Sequence, residues 1–257
     1  MPAKLIDFGL LDTLEVAHDL AVKGVRSIRI SGDPTNHFAA MLYLEIIEFA
    51  GSLILLRRYS RVAGVSIIAR TALDAFVDLK NLLIDDKYWA SLEFADSAEW
   101  AKMLQTASVE GNQYLDGFRK DANFELYRKL MKNKLKAGEA AKAARLKAED
   151  KFIKAGMDND YWGLYVALSS DVHNNTSHLK YRHMRAQKDG FSVTLYTGEG
   201  GYGDAVLLTM SEILMFSSED IQERYGAGKN AIKGIRYVVD PARERASKAA
   251  KRPRSAS

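Results

Sequence analysis

Three groups of polar residues, separated by long apolar stretches, are the part of this sequence that could carry chemistry. They are Glu45 with Glu48, Arg70 with Asp74, and the segment Tyr-Val-Ala-Leu-Ser-Ser-Asp-Val-His at 165–173. Ionisable side chains are rarely buried unless they are paired. Because these groups interrupt apolar helical patterns, we expect them to form one shared polar site inside a helical core.

A histidine is the candidate proton-transfer group. His173, His178 and His183 are three of the five histidines of the chain and lie close together in the sequence. The imidazole exchanges its proton near neutral pH, which suits general acid–base catalysis. On a helix, Tyr165, Ser169 and His173 share one face because they are four residues apart. We therefore expect Tyr165 and Ser169 to lie beside a catalytic His173.

Arg70 is the candidate anion-binding group, and helix geometry predicts its partners. The turn near Tyr59 is short, so the helices before and after it should be antiparallel neighbours. Counting outward from that turn places Glu48 opposite Arg70 and Glu45 near Asp74. Asp74 also follows Arg70 by one helical turn, and Asn81 continues the same stripe. Such a network either fixes the register of two helices or holds a substrate group, orients the histidine or completes a metal site.

His173 and His178, with a nearby carboxylate, are the candidate ligands for a metal ion. Their spacing straddles Asn174 and Asn175, where we expect a helix to end, and it matches no strong zinc motif. The chain has no cysteine. This excludes disulfides, thiolate metal sites and a cysteine nucleophile.

Two other motif matches are set aside. Ser169 and Ser170 are not part of a Gly-x-Ser-x-Gly elbow, which argues against a serine hydrolase. The glycines at 198–203 fit the G-x-G-x-x-G pattern, but no parallel βαβ unit surrounds them. We interpret them as a loop between a hairpin and a helix, and we expect no cofactor.

The elements that position these residues are mostly helices, and the predicted fold class is mainly α, a multi-helix bundle with one small β-hairpin. Apolar periodicity predicts helices over 5–30, 34–58, 61–84, 88–109, 161–173 and 204–225. Asp33 and Pro34 are typical of an N-cap and a first helical residue. Lys188-Asp-Gly190 predicts the hairpin turn within about 179–197, and residues 236–239 are a candidate short strand.

The charge of the chain is unevenly distributed. The 257 residues carry a net charge of +4. Residues 119–154 contain twelve Lys/Arg against five Asp/Glu, and residues 242–257 contain six against one, so the remainder is acidic. We expect a bundle domain over 1–240 with a basic helical arm at about 114–155, followed by a disordered basic tail at 241–257. Such patches suit RNA or another polyanion, although charge runs are also typical of solvated faces.

The apolar run from 38 to 56 approaches the length of a membrane span. It contains Glu45 and Glu48, so we interpret it as a core helix and expect no membrane partner. The N-terminal residues lack the charged-then-apolar build of a secretory signal. Together with the absence of cysteine, this predicts a cytoplasmic protein.

Two motifs resemble those of a bacterial family of helical domains of unknown function. They are Arg-Thr-Ala-Leu-Asp at 70–74 and Tyr-x2-Leu-Ser-x2-Val-His at 165–173, followed by a hairpin and a closing helix. The resemblance covers about 38–225. It implies that Arg70, Asp74, Tyr165, Ser169 and His173 are the polar residues of interest, but it implies no reaction.

A more distant resemblance is to the HEPN helical bundles. Their ribonuclease members use an Arg-x4–6-His motif at a dimer interface, which implies a homodimer here. This chain departs from the pattern because no arginine lies four to six residues before His173, His178 or His183. Arg70 would have to supply the guanidinium from another helix.

The leading hypothesis is an RNA- or nucleotide-directed hydrolase, ribonuclease-like and independent of metal, in stress or phage defence. His173 would act as general acid or base, and Arg70 would stabilise negative charge on phosphate. Asp74 and Glu48 would orient Arg70, while the arm and tail bind phosphates. The first alternative is a non-catalytic helical interaction module with a buried polar network. A further alternative is a metal-dependent enzyme.

Overall fold

Helices form most of the described chain. The computed structural model describes residues 9–30, 32–61, 64–109, 111–172, 175–193, 202–226 and 229–250, and at 171, 172, 178, 181, 202 and 250 it describes the backbone alone. The helices are α1 (Leu10–Val25), α2 (Pro34–Arg58), α3 (Val65–Ile84), α4 (Tyr88–Ala107), α5 (Asp116–Arg119), α6 (Phe124–Ala140), α7 (Ala148–Lys154), α8 (Asp158–Asp160), a π-helical turn (Tyr161–Tyr165), α9 (Val166–Val172), α10 (Thr176–His183), α11 (Tyr202–Tyr225) and α12 (Lys229–Ala250). The strands β1 (Met184–Gln187) and β2 (Gly190–Val193) pair antiparallel. The predicted fold class, mainly α with one small hairpin, is confirmed.

The helix α3 lies at the centre of the bundle. Only Ile67 and Ile84 of this helix are exposed, and it packs against α2, α11, α9 and α7. A helix that is apolar on nearly every face must be surrounded by other elements. The polar residues of α3 therefore lie among neighbouring helices rather than on an open surface.

The helix α2 begins where its sequence predicts. Asp33 is the N-cap, and its Oδ1 accepts a hydrogen bond from the Thr35 amide at 2.8 Å, with Pro34 as the first helical residue. Within the described ranges, α2 is the one helix that is long and apolar enough to span a membrane, by length and composition alone. In the bundle, 44% of its most apolar window is buried, and Tyr43 and Leu53 belong to the core.

The residues predicted to form a basic arm are divided between two environments. The helix α6 packs along α4 over a small separate core of Leu104, Ala107 and Phe124. The helix α7 instead belongs to the main core, because Phe152 is only 1% exposed there. The predicted exposed arm is therefore wrong for α7, whose single large aromatic residue is buried beneath the rings of the π-helical turn.

The C-terminal region is more ordered than its composition indicates. Residues 236–239, a candidate strand, and residues 241–250, predicted to be disordered, are both part of α12. One face of this helix is buried at helical spacing, with Ile235, Val238, Val239 and Ala242 packed inward. This burial stabilises the helix although Pro241 lies within it. Residues 251–257 lie outside the described chain.

The first strand of the hairpin is shorter than predicted. Its two-residue turn is Lys188–Asp189, and Gly190 has φ +138°, a value that favours glycine. Residues 179–183, predicted as strand, belong to α10. Residues 194–197 and most of the glycine-rich segment at 198–203 lie outside the described chain.

Gly138 of α6 packs closely against Phe94 of α4. A Cβ built on Gly138 would lie 2.4 Å from Phe94 Cδ2 and 3.2 Å from Phe94 Cβ. We expect Gly138→Ala to lower the free energy of unfolding by about 1–3 kcal/mol through overpacking, despite the higher helix propensity of alanine. Urea unfolding followed by circular dichroism measures this. The matched control is Gly117→Ala, because a Cβ built on Gly117 would meet no atom of a packing neighbour within 4 Å, and a comparable loss there would contradict the packing argument.

Candidate functional site

A row of four polar residues runs along one face of α3. Arg70, Asp74, Asp78 and Asn81 follow one another at intervals of four, four and three residues, so they share that face. The row meets side chains from α4, from α7 and from the π-helical turn. Four segments of the bundle therefore converge on a single polar line.

Arg70 is held at one end of the row. Its Nη2 donates a hydrogen bond to Tyr165 Oη at 2.6 Å and lies 3.6 Å from Asp74 Oδ2. The guanidinium carbon also lies 5.0 Å from the centre of the Tyr165 ring. Arg70 Nε is buried and has no hydrogen-bond partner within the described ranges. Arg70 is thus oriented by two partners, Tyr165 and Asp74.

Asp78 has two close partners in the middle of the row. One carboxylate oxygen accepts a hydrogen bond from Tyr88 Oη at 2.5 Å, and the other lies 2.8 Å from Lys151 Nζ. Asn81 Nδ2 donates to the backbone oxygen of Lys151 at 2.9 Å. Burial and the nearby charge of Asp78 raise the pKa of Tyr88 far above its ordinary range. These contacts attach α4 and α7 to the central helix.

Asp74 differs from Asp78 because it forms no hydrogen bond of comparable quality with any of the described residues. Burial raises the pKa of the Asp74 carboxyl, and the positive charges of Arg70 and Lys151 only partly oppose this effect. Asp74 lines a cleft of about 370 Å³ together with Tyr88 and Lys151. The remaining walls of the cleft come from Ser91, Leu92, Ala95, Ala144, Arg145, Leu146 and Ala148. A carboxyl that holds its proton more firmly, at the wall of a cleft and beside two cations, is suited to proton transfer.

The predicted pairing of Glu48 with Arg70 is wrong. Glu48 and Glu45 are exposed, and Arg70 instead contacts Asp74 and Tyr165. The reason is the connection between the helices, which runs from Tyr59 to Gly64 and is longer than a tight turn. The midpoint of this connection lies two to three residues after Tyr59. Each residue of α2 therefore lies opposite a residue of α3 that is about one helical turn further along the chain than the count from Tyr59 predicted.

The two glutamates lie near a different residue of the row. Burial is the main cause that raises the pKa of Glu45, and the negative charges of Glu48 and Asp78 add to it. Glu45 therefore lies near Asp78 rather than near Asp74 as predicted.

The third predicted group is only partly described. Tyr165 is 8% exposed and contacts Arg70, so it joins the row on α3. Ser169 Oγ is buried and has no hydrogen-bond partner among the described residues. His173 lies outside the described residues, and only the backbone of His178 is described. Among the side chains that are described, no group of three His, Asp or Glu residues is placed to hold a metal ion.

Three residues of the site were not predicted. Asp78 could have been found, because it stands between Asp74 and Asn81 at helical spacing. Lys151 lies in a charged segment with many lysines, and no local signal distinguishes it. Tyr88 was predicted only as a helix start. Contacts that join residues far apart in sequence are decided by tertiary packing.

A family model now provides an independent comparison. The model described as "Family of unknown function (DUF5677)" matches residues 36–191. The chain belongs to this family. The matched region contains the whole row on α3 together with Tyr88, Lys151 and Tyr165. No curated protein and no solved structure matches the chain.

The raised pKa of Asp74 predicts how stability depends on pH. An unfolded aspartate ionises near pH 3.9, whereas the folded Asp74 keeps its proton to higher pH. Wild-type stability should therefore fall as pH rises between these two pKa values and show no further loss from this group above them. Asp74→Asn removes that loss, so the free energy of unfolding of the variant relative to wild type should rise across this interval.

Urea unfolding at a series of acidic to neutral pH values measures the difference. The control is Asp19→Asn, which removes an exposed carboxylate and should show no comparable rise. A relative stability that is flat, or that falls with pH, would contradict the assignment for Asp74.

Proposed function

We propose that the chain is an RNA- or nucleotide-directed hydrolase whose centre is the Asp74 end of the polar row. The observation that carries this proposal is the position of Asp74 at the cleft wall, with a raised pKa and with Arg70 and Lys151 as its cationic neighbours. This combination supplies a proton-transfer group and positive charge at the same place. Phosphodiester cleavage requires both.

The chemistry assigned to these groups needs no redox partner. In RNA, the 2′ oxygen attacks phosphorus and gives its proton to a base, while the bond from phosphorus to the 5′ oxygen breaks and that oxygen takes a proton from an acid. Asp74 and His173 are the proposed acid–base pair. Arg70 stabilises the charge that develops on the phosphate oxygens. Water then opens the resulting cyclic phosphate.

The surface of α6 is the proposed binding site for phosphates. Lys129, Lys132 and Lys136 are exposed and, within the described ranges, form no ion pair. They lie at intervals of three and four residues, so they share one face of α6. By contrast, Arg243 of the predicted basic tail is paired with Glu212 at 2.9 Å. We therefore place phosphate binding on α6 in preference to the described part of the tail.

A non-catalytic interaction module is the second candidate. It is favoured by the middle of the row, where Asp78 has two internal partners and serves to join helices. In that case the row fixes the packing of α4 and α7, and the lysines of α6 dock an acidic partner. The two functions differ in whether the Asp74 end of the row can be changed without loss of function.

Cleavage of total cellular RNA tests the hydrolase. We expect the wild-type protein to cleave RNA in the presence of a chelator. Asp74→Asn, Arg70→Lys and His173→Ala should each lower the rate about 100-fold or more, because each removes a proton-transfer group or the guanidinium geometry. Matched controls are His37→Ala, at an exposed histidine of α2, and Arg58→Lys, at a surface pair with Glu15.

The negative outcome is equally informative. All variants are first shown to be folded by circular dichroism. If the wild-type protein cleaves no RNA, with or without divalent metal, the hydrolase is wrong and the interaction module replaces it. If cleavage occurs only with added metal, the metal-dependent alternative replaces the mechanism above.

Binding through α6 should depend on salt in a predictable way. For single strands, each neutralised phosphate contributes about 0.7 to the slope of log affinity against log salt concentration. Replacing Lys129, Lys132 and Lys136 together by glutamine should therefore reduce this slope by about 2. Fluorescence anisotropy with a labelled single-stranded RNA, in the Asp74→Asn background, measures it.

The charge-matched control replaces three exposed lysines elsewhere, Lys23, Lys87 and Lys188. This control should leave most of the slope in place. Equal losses in both triple variants would show that binding follows net charge and that α6 is not a specific surface.

A further inference from the structure

A short π-helical turn interrupts the helix that carries Tyr165. Residues 161–165 form this turn between α8 and α9. π-Helical turns are rare and are frequently found at functional sites. This one stacks the rings of Tyr161 and Tyr165, whose centres are 5.3 Å apart, and both rings pack against buried Phe152. The backbone at this point is therefore held by a rigid aromatic cluster.

Trp162 is the one ring of this turn that is turned to solvent. It is 67% exposed, although its ring centre lies 5.2 Å from that of Tyr161 in an edge-to-face arrangement. The contact with Tyr161 supports one side of the indole and leaves most of its surface open. Val166, one turn later, is also exposed. A supported but uncovered tryptophan provides a flat apolar platform.

The platform is linked to the Arg70 end of the polar row through two tyrosine rings. Trp162 contacts Tyr161, Tyr161 stacks on Tyr165, and Tyr165 accepts the hydrogen bond from Arg70. An extended ligand with both planar and anionic groups could therefore contact the indole and the guanidinium at once. A single-stranded nucleic acid has this chemistry, because its bases alternate with phosphates along the strand.

We propose that Trp162 is a stacking subsite for an unpaired base of the RNA strand whose phosphate meets Arg70. This inference rests on the proposed function and deepens it, because it specifies single-stranded RNA as the substrate class. Bases inside a duplex cannot offer a free face, whereas unpaired bases stack on aromatic side chains. Stacking is tolerant of sequence, so the subsite selects strand state rather than a particular base.

The experiment compares binding by Trp162 variants in the Asp74→Asn background, where cleavage is suppressed. The probe is a labelled single-stranded oligouridylate, followed by fluorescence anisotropy. Trp162→Ala should weaken binding about 10- to 100-fold, the range for one stacked base, and Trp162→Phe should recover most of the affinity. The salt dependence should stay unchanged in Trp162→Ala, because no phosphate contact is removed.

Two controls separate stacking from other roles of an exposed ring. Tyr114→Ala removes another aromatic residue, 88% exposed and remote from the turn in sequence, and should bind as the parent does. The oligouridylate annealed to its complement should bind more weakly than the single strand and should not respond to Trp162→Ala. Light scattering of each variant reports its oligomeric state.

Several outcomes would overturn the subsite. Unchanged affinity in Trp162→Ala would do so, and so would equal dependence of duplex binding on Trp162. Dissociation of a wild-type dimer by Trp162→Ala would assign the ring to a contact between protein copies. If the wild-type protein cleaves no RNA but its binding still depends on Trp162, the proposed hydrolase is wrong and the proposed stacking subsite stands. If the protein cleaves RNA but its binding does not depend on Trp162, only the proposed subsite is wrong.

Discussion

The ion pair between Lys151 and Asp78 is the interaction on which the rest of the site depends. Both side chains are largely buried, and Tyr88 completes the coordination of the Asp78 carboxylate. Removing one partner of a buried pair costs about 3–5 kcal/mol, because the other charge is left without compensation. This pair joins α7 to α3, and α7 in turn brings Phe152 beneath the rings of the π-helical turn. The positions of Tyr165 and Trp162 therefore depend on the Lys151–Asp78 pair. Asp78 lies one helical turn after Asp74 in α3.

The polar row combines two kinds of residue that serve different purposes. Asp78 has a hydrogen bond and a close cation, so its charge is fully accommodated and it holds the helices together. Within the described ranges, Asp74 has only a longer contact with Arg70, and burial raises its pKa. Arg70 keeps one buried donor without a partner in the described chain. Incomplete satisfaction of buried polar groups is unusual in a purely structural network, and among the described residues it occurs at both ends of the row, at Arg70 Nε and at Asn81 Oδ1.

The basic residues show a similar division. Some cations of the α4–α6 region are paired, as Lys134 is with Glu93 and Arg128 with Glu125. Lys129, Lys132 and Lys136 are exposed on one face of α6. The tail predicted from its charge is helical to Ala250, and Arg243 is used to fasten α12 to α11. Net charge in the sequence therefore does not distinguish lysines that are free to bind a partner from arginines that stabilise the bundle.

Local interactions explain what the sequence by itself determined. The features that depend on residues close along the chain are the N-cap at Asp33, the helical periodicity of α3, the turn of the hairpin and the row of Arg70, Asp74 and Asn81.

Tertiary structure decided the remaining features, because these depended on the length of the connection between α2 and α3 and on packing between residues that are far apart in the sequence. The connection between α2 and α3 shifted the register by about one turn and moved Glu45 beside Asp78 in place of Asp74. The burial of Phe152 placed Lys151 in the site, and the packing of α12 against the bundle made a helix of a segment that its charge predicted to be disordered. Spacing along one helix can be read from the sequence, whereas the choice of partner between helices is a property of the assembled core.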